Sequence, residues 1–195
     1  MRRLRAVILV VTLLGPLALP AGATAESVAV RDNAFDPSTT KVTVGQTVSW
    51  ETGSTTSGVH NVREAHKIFY SGPADSAEFT FKRVFSAGTF HYFCERHGYR
   101  GGGMDGTVKV PVKLSDEPAG PDFTVVWATS GSNTGTRYTV QYRAGSGVWK
   151  KWKTNVSGGK GTFTQGSSGT RYTFRAKSLK GDADSEWSPV TSTSA

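Results

Sequence analysis

The chain has 195 residues, with 23 Lys and Arg against 15 Asp and Glu, for a formal net charge of +8. Its single cysteine excludes an internal disulfide framework, and its four histidines are too few for a multi-metal oxidase built on imidazoles. No stretch after residue 25 is apolar for long enough to span a bilayer.

The first segment predicts an export signal over residues 1–25. Arg2, Arg3 and Arg5 give a positive start, Ala6 to Leu14 are apolar apart from Thr12, and Ala23-Thr24-Ala25 offers a small-residue cleavage site. A membrane anchor would need about 20 apolar residues without the interruption that Gly15 and Pro16 make. Cleavage after Ala25 leaves 20 basic against 15 acidic residues. The excess lies late: ten basic to nine acidic over residues 26–114, ten to six from residue 115 onward. Export sets nucleic acid aside as a partner of this basic chain. It also exposes a lone thiol to oxidation, so the cysteine needs a reason to be there, and metal ligation supplies one.

Beyond the signal, short alternating runs broken by Gly, Ser, Thr and Asn predict an all-β chain. Strands are expected at 27–31, 41–44, 47–50, 77–81, 89–94 and 107–112. Val42 and Val44, Val48 and Trp50, and Phe79 and Phe81 repeat every second residue, as do Phe90, Tyr92 and Cys94. That parity turns the Cys94 sulfur inward at a strand end and His91 and Phe93 outward.

Cys94 is followed by His97 and then by Met104, the only methionine after Met1, while His60 stands upstream. A thiolate, two imidazoles and a thioether form a His₂Cys set with a weak axial Met, the donors of a copper electron-transfer site. Zinc shares the taste for Cys94, His60 and His97, but a thioether donor favours copper. His91, on the outer face, and His66, in the charged stretch 63–67, are expected to stay clear of the metal.

Asn33-Ala-Phe-Asp-Pro37, the strand pair 41–50, His60-Asn-Val62, residues 87–94, His97 and the run 104–110 together resemble the cupredoxin family, in particular its plastocyanin- and pseudoazurin-like members. The resemblance implies a Greek-key β-sandwich with one copper at one end, held by His60, Cys94, His97 and Met104. It makes Asn61 the residue that ties the two ligand loops together by hydrogen bonds and orients the Cys94 sulfur. It also implies electron transfer through the His97 edge. Six residues separate His97 from Met104, against four or fewer in many members, and Gly101 to Gly103 give the longer loop freedom to fold back.

Residues 115–121 are polar and hold two prolines, which predicts a linker. Alternation then restarts at 123–127, 138–142, 148–152 and 172–176, so the domains are expected at 26–114 and 122–195. Trp127, the run 138–143, Gly169 to Ala176 and the ending 184–189 resemble the fibronectin type III family, which implies a second, smaller β-sandwich. Tyr172 would then be a corner tyrosine whose hydroxyl ties back to nearby backbone. In the run 148–153, Trp149 and Lys151 share one face and Lys150 and Trp152 the other. Such a run either engages a polysaccharide or other cell-surface polymer or puts one Trp in the core beneath solvated lysines, and the second reading is the commoner fate of a charge run.

The expected function is that of an exported type I copper protein, secreted or extracytoplasmic, carrying single electrons and not an enzyme. A copper-delivery protein held near the cell surface by its second domain is the alternative. Arg96 and Arg100 flank His97, which suits a redox partner with an acidic docking surface.

Overall fold

The computed structural model describes residues 25–114 and 122–195; residues 1–24, where the export signal is expected, and 115–121, where the linker is expected, lie outside the described residues. The described chain is all β, and no helix in it is long and apolar enough to cross a membrane. The first half contains β1 (Glu26–Arg31), β2 (Ala34–Asp36), β3 (Thr39–Lys41), β4 (Thr47–Thr52), β5 (Arg63–Glu64), β6 (Thr80–Val84), β7 (Gly88–Tyr99), β8 (Gly102–Val110) and β9 (Lys113–Leu114). One sheet runs β2-β1-β4-β6 and the other β3-β8-β7-β5.

The two sheets enclose one apolar cluster, and the period-two pattern fills it. Val28, Val48, Trp50, Phe90, Tyr92, Cys94, Val108 and Val110 are all fully buried. Trp50 is the hub, with ring centroids 5.2 Å from Tyr92, 5.7 Å from Phe69 and Phe81, and 6.1 Å from Phe85. Each such side chain contributes about 1.5–3 kcal/mol on burial, so the aromatic hub holds the sheets in place. Two strands lie apart from their expected positions. The pairing expected at 41–44 falls at β3, with Val42 reaching β8 by a single amide bond to the Lys109 carbonyl, and the strand expected at 77–81 is regular only from Thr80, with the Phe79 carbonyl accepting the Thr52 amide just before it.

β7 and β8 carry the feature that matters most for function. Phe93 pairs with Asp105 and Gly98 with Gly103, so four residues, Cys94 to His97, stand opposite Met104 alone. A bulge of this kind bends the strand and re-aims its side chains. Beyond it the hairpin resumes through Tyr99 and Gly102, so the extra loop length becomes a short two-stranded tip. Gly101 and Gly103 both have positive φ, and a Cβ at Gly103 would lie 2.4 Å from the His97 carbonyl oxygen.

Glu64 on β5 is a buried carboxyl at the edge of this sheet. It accepts amide bonds from His66 (2.8 Å) and Ile68 (3.0 Å), yet burial outweighs them and pushes its pKa above the ordinary 4.5. A raised folded-state pKa favours the neutral form. The associated stability is full below pH 4.5 and is lost as the pH rises through the folded value. Glu64→Gln therefore should raise the melting temperature relative to the parent at pH 7, and the gain should vanish below pH 4.5; equal gains at both pH values would contradict this.

The second half contains β10 (Phe123–Val126), β11 (Arg137–Ala144), β12 (Lys150–Val156), β13 (Lys160–Phe163), β14 (Arg171–Lys180), β15 (Ala183–Asp184) and β16 (Thr191–Ser194). Its sheets are β13-β10-β9 and β12-β11-β14-β15, with β16 also on β14. They cover a second cluster around Phe123, Trp127, Phe163 and Phe174. β9 belongs to this second body, since Leu114 pairs with Val125 and Val112 packs in its core. β13 falls in a stretch that glycine content marks as a turn. Gly161 is small for another reason: a Cβ there would come within 3.4 Å of both the Trp127 and Trp152 rings. Trp152 is edge-on to Trp127 and Phe163 in this core, while Lys150 and Lys151 are exposed. Trp149 is instead covered by the guanidinium groups of Arg143 and Arg175, 4.9 and 4.1 Å from its centroid.

The two halves meet over a set of buried hydroxyls. Ser86, Thr134 and Ser178 are fully buried, with Ser86 Oγ 2.9 Å from Thr134 Oγ1 and 2.7 Å from Ser178 Oγ, which in turn donates to the Ala87 carbonyl. Buried polar groups that satisfy one another in this way fix a single docking geometry.

Candidate metal centre

His60, Cys94 and His97 lie together at one end of the first sandwich, each offering one ligand atom within 4.8 Å of the other two. Cys94 Sγ is 3.6 Å from His97 Nδ1, 4.0 Å from His60 Nδ1 and 3.8 Å from the Val59 carbonyl. His60 and Cys94 are buried and His97 is half-buried. Strand parity delivers Cys94, and the bulge returns the chain so that His97 comes back over it.

The His60 imidazole is oriented with its Nδ1 toward the sulfur. His60 Nε2 lies 2.8 Å from the Ser57 carbonyl, which only an N–H can satisfy. The proton therefore sits on Nε2, and the Nδ1 lone pair faces the sulfur. A soft sulfur with two imidazole nitrogens this close to it could hold a cation. The donor types suit copper, and zinc second.

Met104 stands opposite the bulge, is 1% exposed, and shares the core cluster with Cys94. Gly98 lies against it so closely that a Cβ there would be 2.5 Å from the Met104 carbonyl oxygen. The backbones that carry His97 and Met104 are thus locked together.

Asn61 bridges the two loops. Its side-chain oxygen accepts the Glu95 amide at 2.9 Å, and its nitrogen donates to Glu95 Oε2 at 2.7 Å and to the Gly72 carbonyl at 3.0 Å. Glu95 completes the lock, also accepting from the Tyr70 hydroxyl and facing Arg63 at 3.3 Å. Glu95 escaped sequence reasoning, although its place beside Cys94 was a usable signal. So did Asp32, whose carboxylate accepts the Ser57 amide at 2.6 Å; that bond lowers its pKa below the ordinary 3.8 and anchors the His60 loop.

His91 and His66 remain outside the cluster. His91 faces outward between Thr107 and Glu186, and His66 Nδ1 meets the Asp184 carbonyl of the second half rather than water alone. Arg96 is exposed, whereas Arg100 is paired with Glu186.

Comparison with characterised proteins finds a plastocyanin from Scenedesmus fuscus that is 31% identical over 88 residues, covering 39% of this chain and 85% of that protein. The chain belongs to the plastocyanin-like cupredoxins. A cupredoxin's cofactor is one copper ion, and the His60–Cys94–His97 donor set fits it. Among solved structures, a reduced Cu(I) form of an amicyanin variant aligns at 25% identity and a TM-score of 0.37, covering 47% of this chain and 86% of that one. A purple cupredoxin from Nitrosopumilus maritimus aligns at 23% identity and a TM-score of 0.36, covering 44% and 98%. No family model matches the sequence. These alignments leave more than half of this cupredoxin uncovered.

Proposed function

We propose that this cupredoxin is an exported type I copper protein that carries one electron at a time. His60 Nδ1, Cys94 Sγ and His97 Nδ1 would hold the metal, with Met104 as a weak axial donor. The observation that carries the reading is the convergence of the Cys94 sulfur with two Nδ1 atoms, one of which has its proton assigned elsewhere. Bound copper supplies a one-electron couple, Cu(I)/Cu(II), that sulfur and imidazole donors both tolerate. The rest is the work of the chain. The Trp50 hub and the Asn61 bridge keep the donors in place, so little rearrangement accompanies a change of charge. His97 is the half-exposed member of the set, and Tyr99 beside it is 69% exposed. These make a surface on which a redox partner docks; exposed Arg96 favours an acidic one.

The second half, residues 122–195 with β9, is proposed to be a fibronectin type III-like module. The Tyr172 hydroxyl supports this, donating to the Gln165 carbonyl at 3.2 Å and accepting the Ser167 amide.

Carrier and delivery roles separate in one experiment. The copper-loaded protein is cycled between oxidised and reduced states in the presence of a Cu(I) chelator. A carrier should retain its metal in both states and show a reversible one-electron wave. Rapid loss of copper on reduction would favour delivery instead.

A further inference from the structure

Glu186 belongs to the second half, yet its carboxylate lies on the outer face of β7 and β8. Its Oε1 meets the Arg100 guanidinium, and its Oε2 is 3.2 Å from His91 Nε2, while His91 Nδ1 is 3.1 Å from the Thr107 hydroxyl. The base of this side chain is fixed as well. The Glu186 amide donates to the Thr89 carbonyl at 3.0 Å, the Thr89 amide to the Glu186 carbonyl at 3.1 Å, and the Thr89 hydroxyl to the Trp187 carbonyl at 2.9 Å. Residue 186 is thus bridged onto the start of β7, the strand that carries Cys94 and His97.

Arg100 sits in the turn of the tip between His97 and Met104. That tip contains three consecutive glycines, Gly101 to Gly103, and glycine-rich backbone has little stiffness of its own. At its base Gly98 presses on the Met104 backbone and Gly103 on the His97 carbonyl. Motion of the tip therefore reaches the backbones of two proposed ligands at once. An external brace on Arg100 restrains it.

We propose that Glu186 is a positioning residue for the copper-ligand hairpin, so that docking of the second sandwich holds His97 and Met104 in place. The inference rests on the copper reading for its effect on the metal, but its mechanical part does not need the metal. Arg100 and Glu186 side chains are 48% and 41% exposed, so the pair by itself is weak and salt-sensitive. Its influence comes from the pinned Glu186 backbone, which reduces the ordering cost that exposed pairs usually carry.

The test uses full-length Glu186→Gln, Arg100→Gln and the double variant. In metal-free protein, amide hydrogen exchange over residues 98–103 should rise about two- to fivefold in either single variant, the size such a pair supports. The double variant should exchange no faster than the singles, because one interaction is being removed twice. Raising salt should speed exchange there in the parent and not in the variants. In copper-loaded protein both single variants should change the Cu(II) electron paramagnetic resonance signature in the same direction, a readout of ligand geometry. Parent-like exchange over 98–103 in both variants, or strictly additive effects, would overturn the proposal. If the parent gives no thiolate–copper signal, the copper reading fails, and the exchange result still decides the brace.

Discussion

Replacing Cys94 with Ser should abolish the visible colour of the copper protein and weaken copper binding by more than about 100-fold, beyond the ~10–100-fold that losing an outer hydrogen-bond partner costs. The reasoning is chemical. On the proposed assignment the sulfur is the soft donor that would select copper, and a serine hydroxyl remains protonated and cannot replace it. The fold should survive. Cys94 is fully buried among apolar neighbours, and placing a hydroxyl there costs about 1–3 kcal/mol, less than the sandwich core provides. Far-ultraviolet circular dichroism should match the parent, while absorption and a copper titration should not. A Cys94→Ser protein that stayed coloured would remove the sulfur from the site.

Asn61→Ala should destabilise the protein by about 2–3 kcal/mol, since it removes three part-buried hydrogen bonds, to the Glu95 amide, the Glu95 carboxylate and the Gly72 carbonyl, worth about 0.5–1.5 kcal/mol each. It should also speed copper release to a chelator. Asn61 ties the segment after His60 to the segment after Cys94, and without it the two donor loops are joined only through neighbouring packing. Denaturant midpoints give the first effect and stopped-flow chelation the second. A destabilised protein that released copper at the parental rate would show that Asn61 supports the fold without holding the site.

Local pattern pointed to the proposed donors, and long-range register brings three of them, His60, Cys94 and His97, together. The alternation Phe90, Tyr92, Cys94 sends the sulfur inward because strand side chains alternate, and all three are fully buried. The bulge opposite Met104 was not legible, because it depends on which β8 residue each β7 residue pairs with. The tip glycines were readable as freedom to fold back, but not as a resumed hairpin. The contact between the halves was hidden for a different reason. Ser86, Thr134 and Ser178 look like solvent-facing residues in sequence, and only their mutual hydrogen bonds, spanning up to 92 positions, make burial acceptable. Glu186 likewise reads as an ordinary charge near a tryptophan, and its partners Arg100 and His91 lie 86 and 95 residues away.

The most direct test of the account is a titration of the purified protein with Cu(II), followed by visible absorption. The geometry of Cys94, His60 and His97 predicts saturation at one copper per chain. It also predicts an intense thiolate-to-Cu(II) charge-transfer band that grows in step with binding and bleaches on reduction. A protein that takes up one copper and stays without that band would contradict the assignment of Cys94 as a ligand, and with it the proposed carrier function.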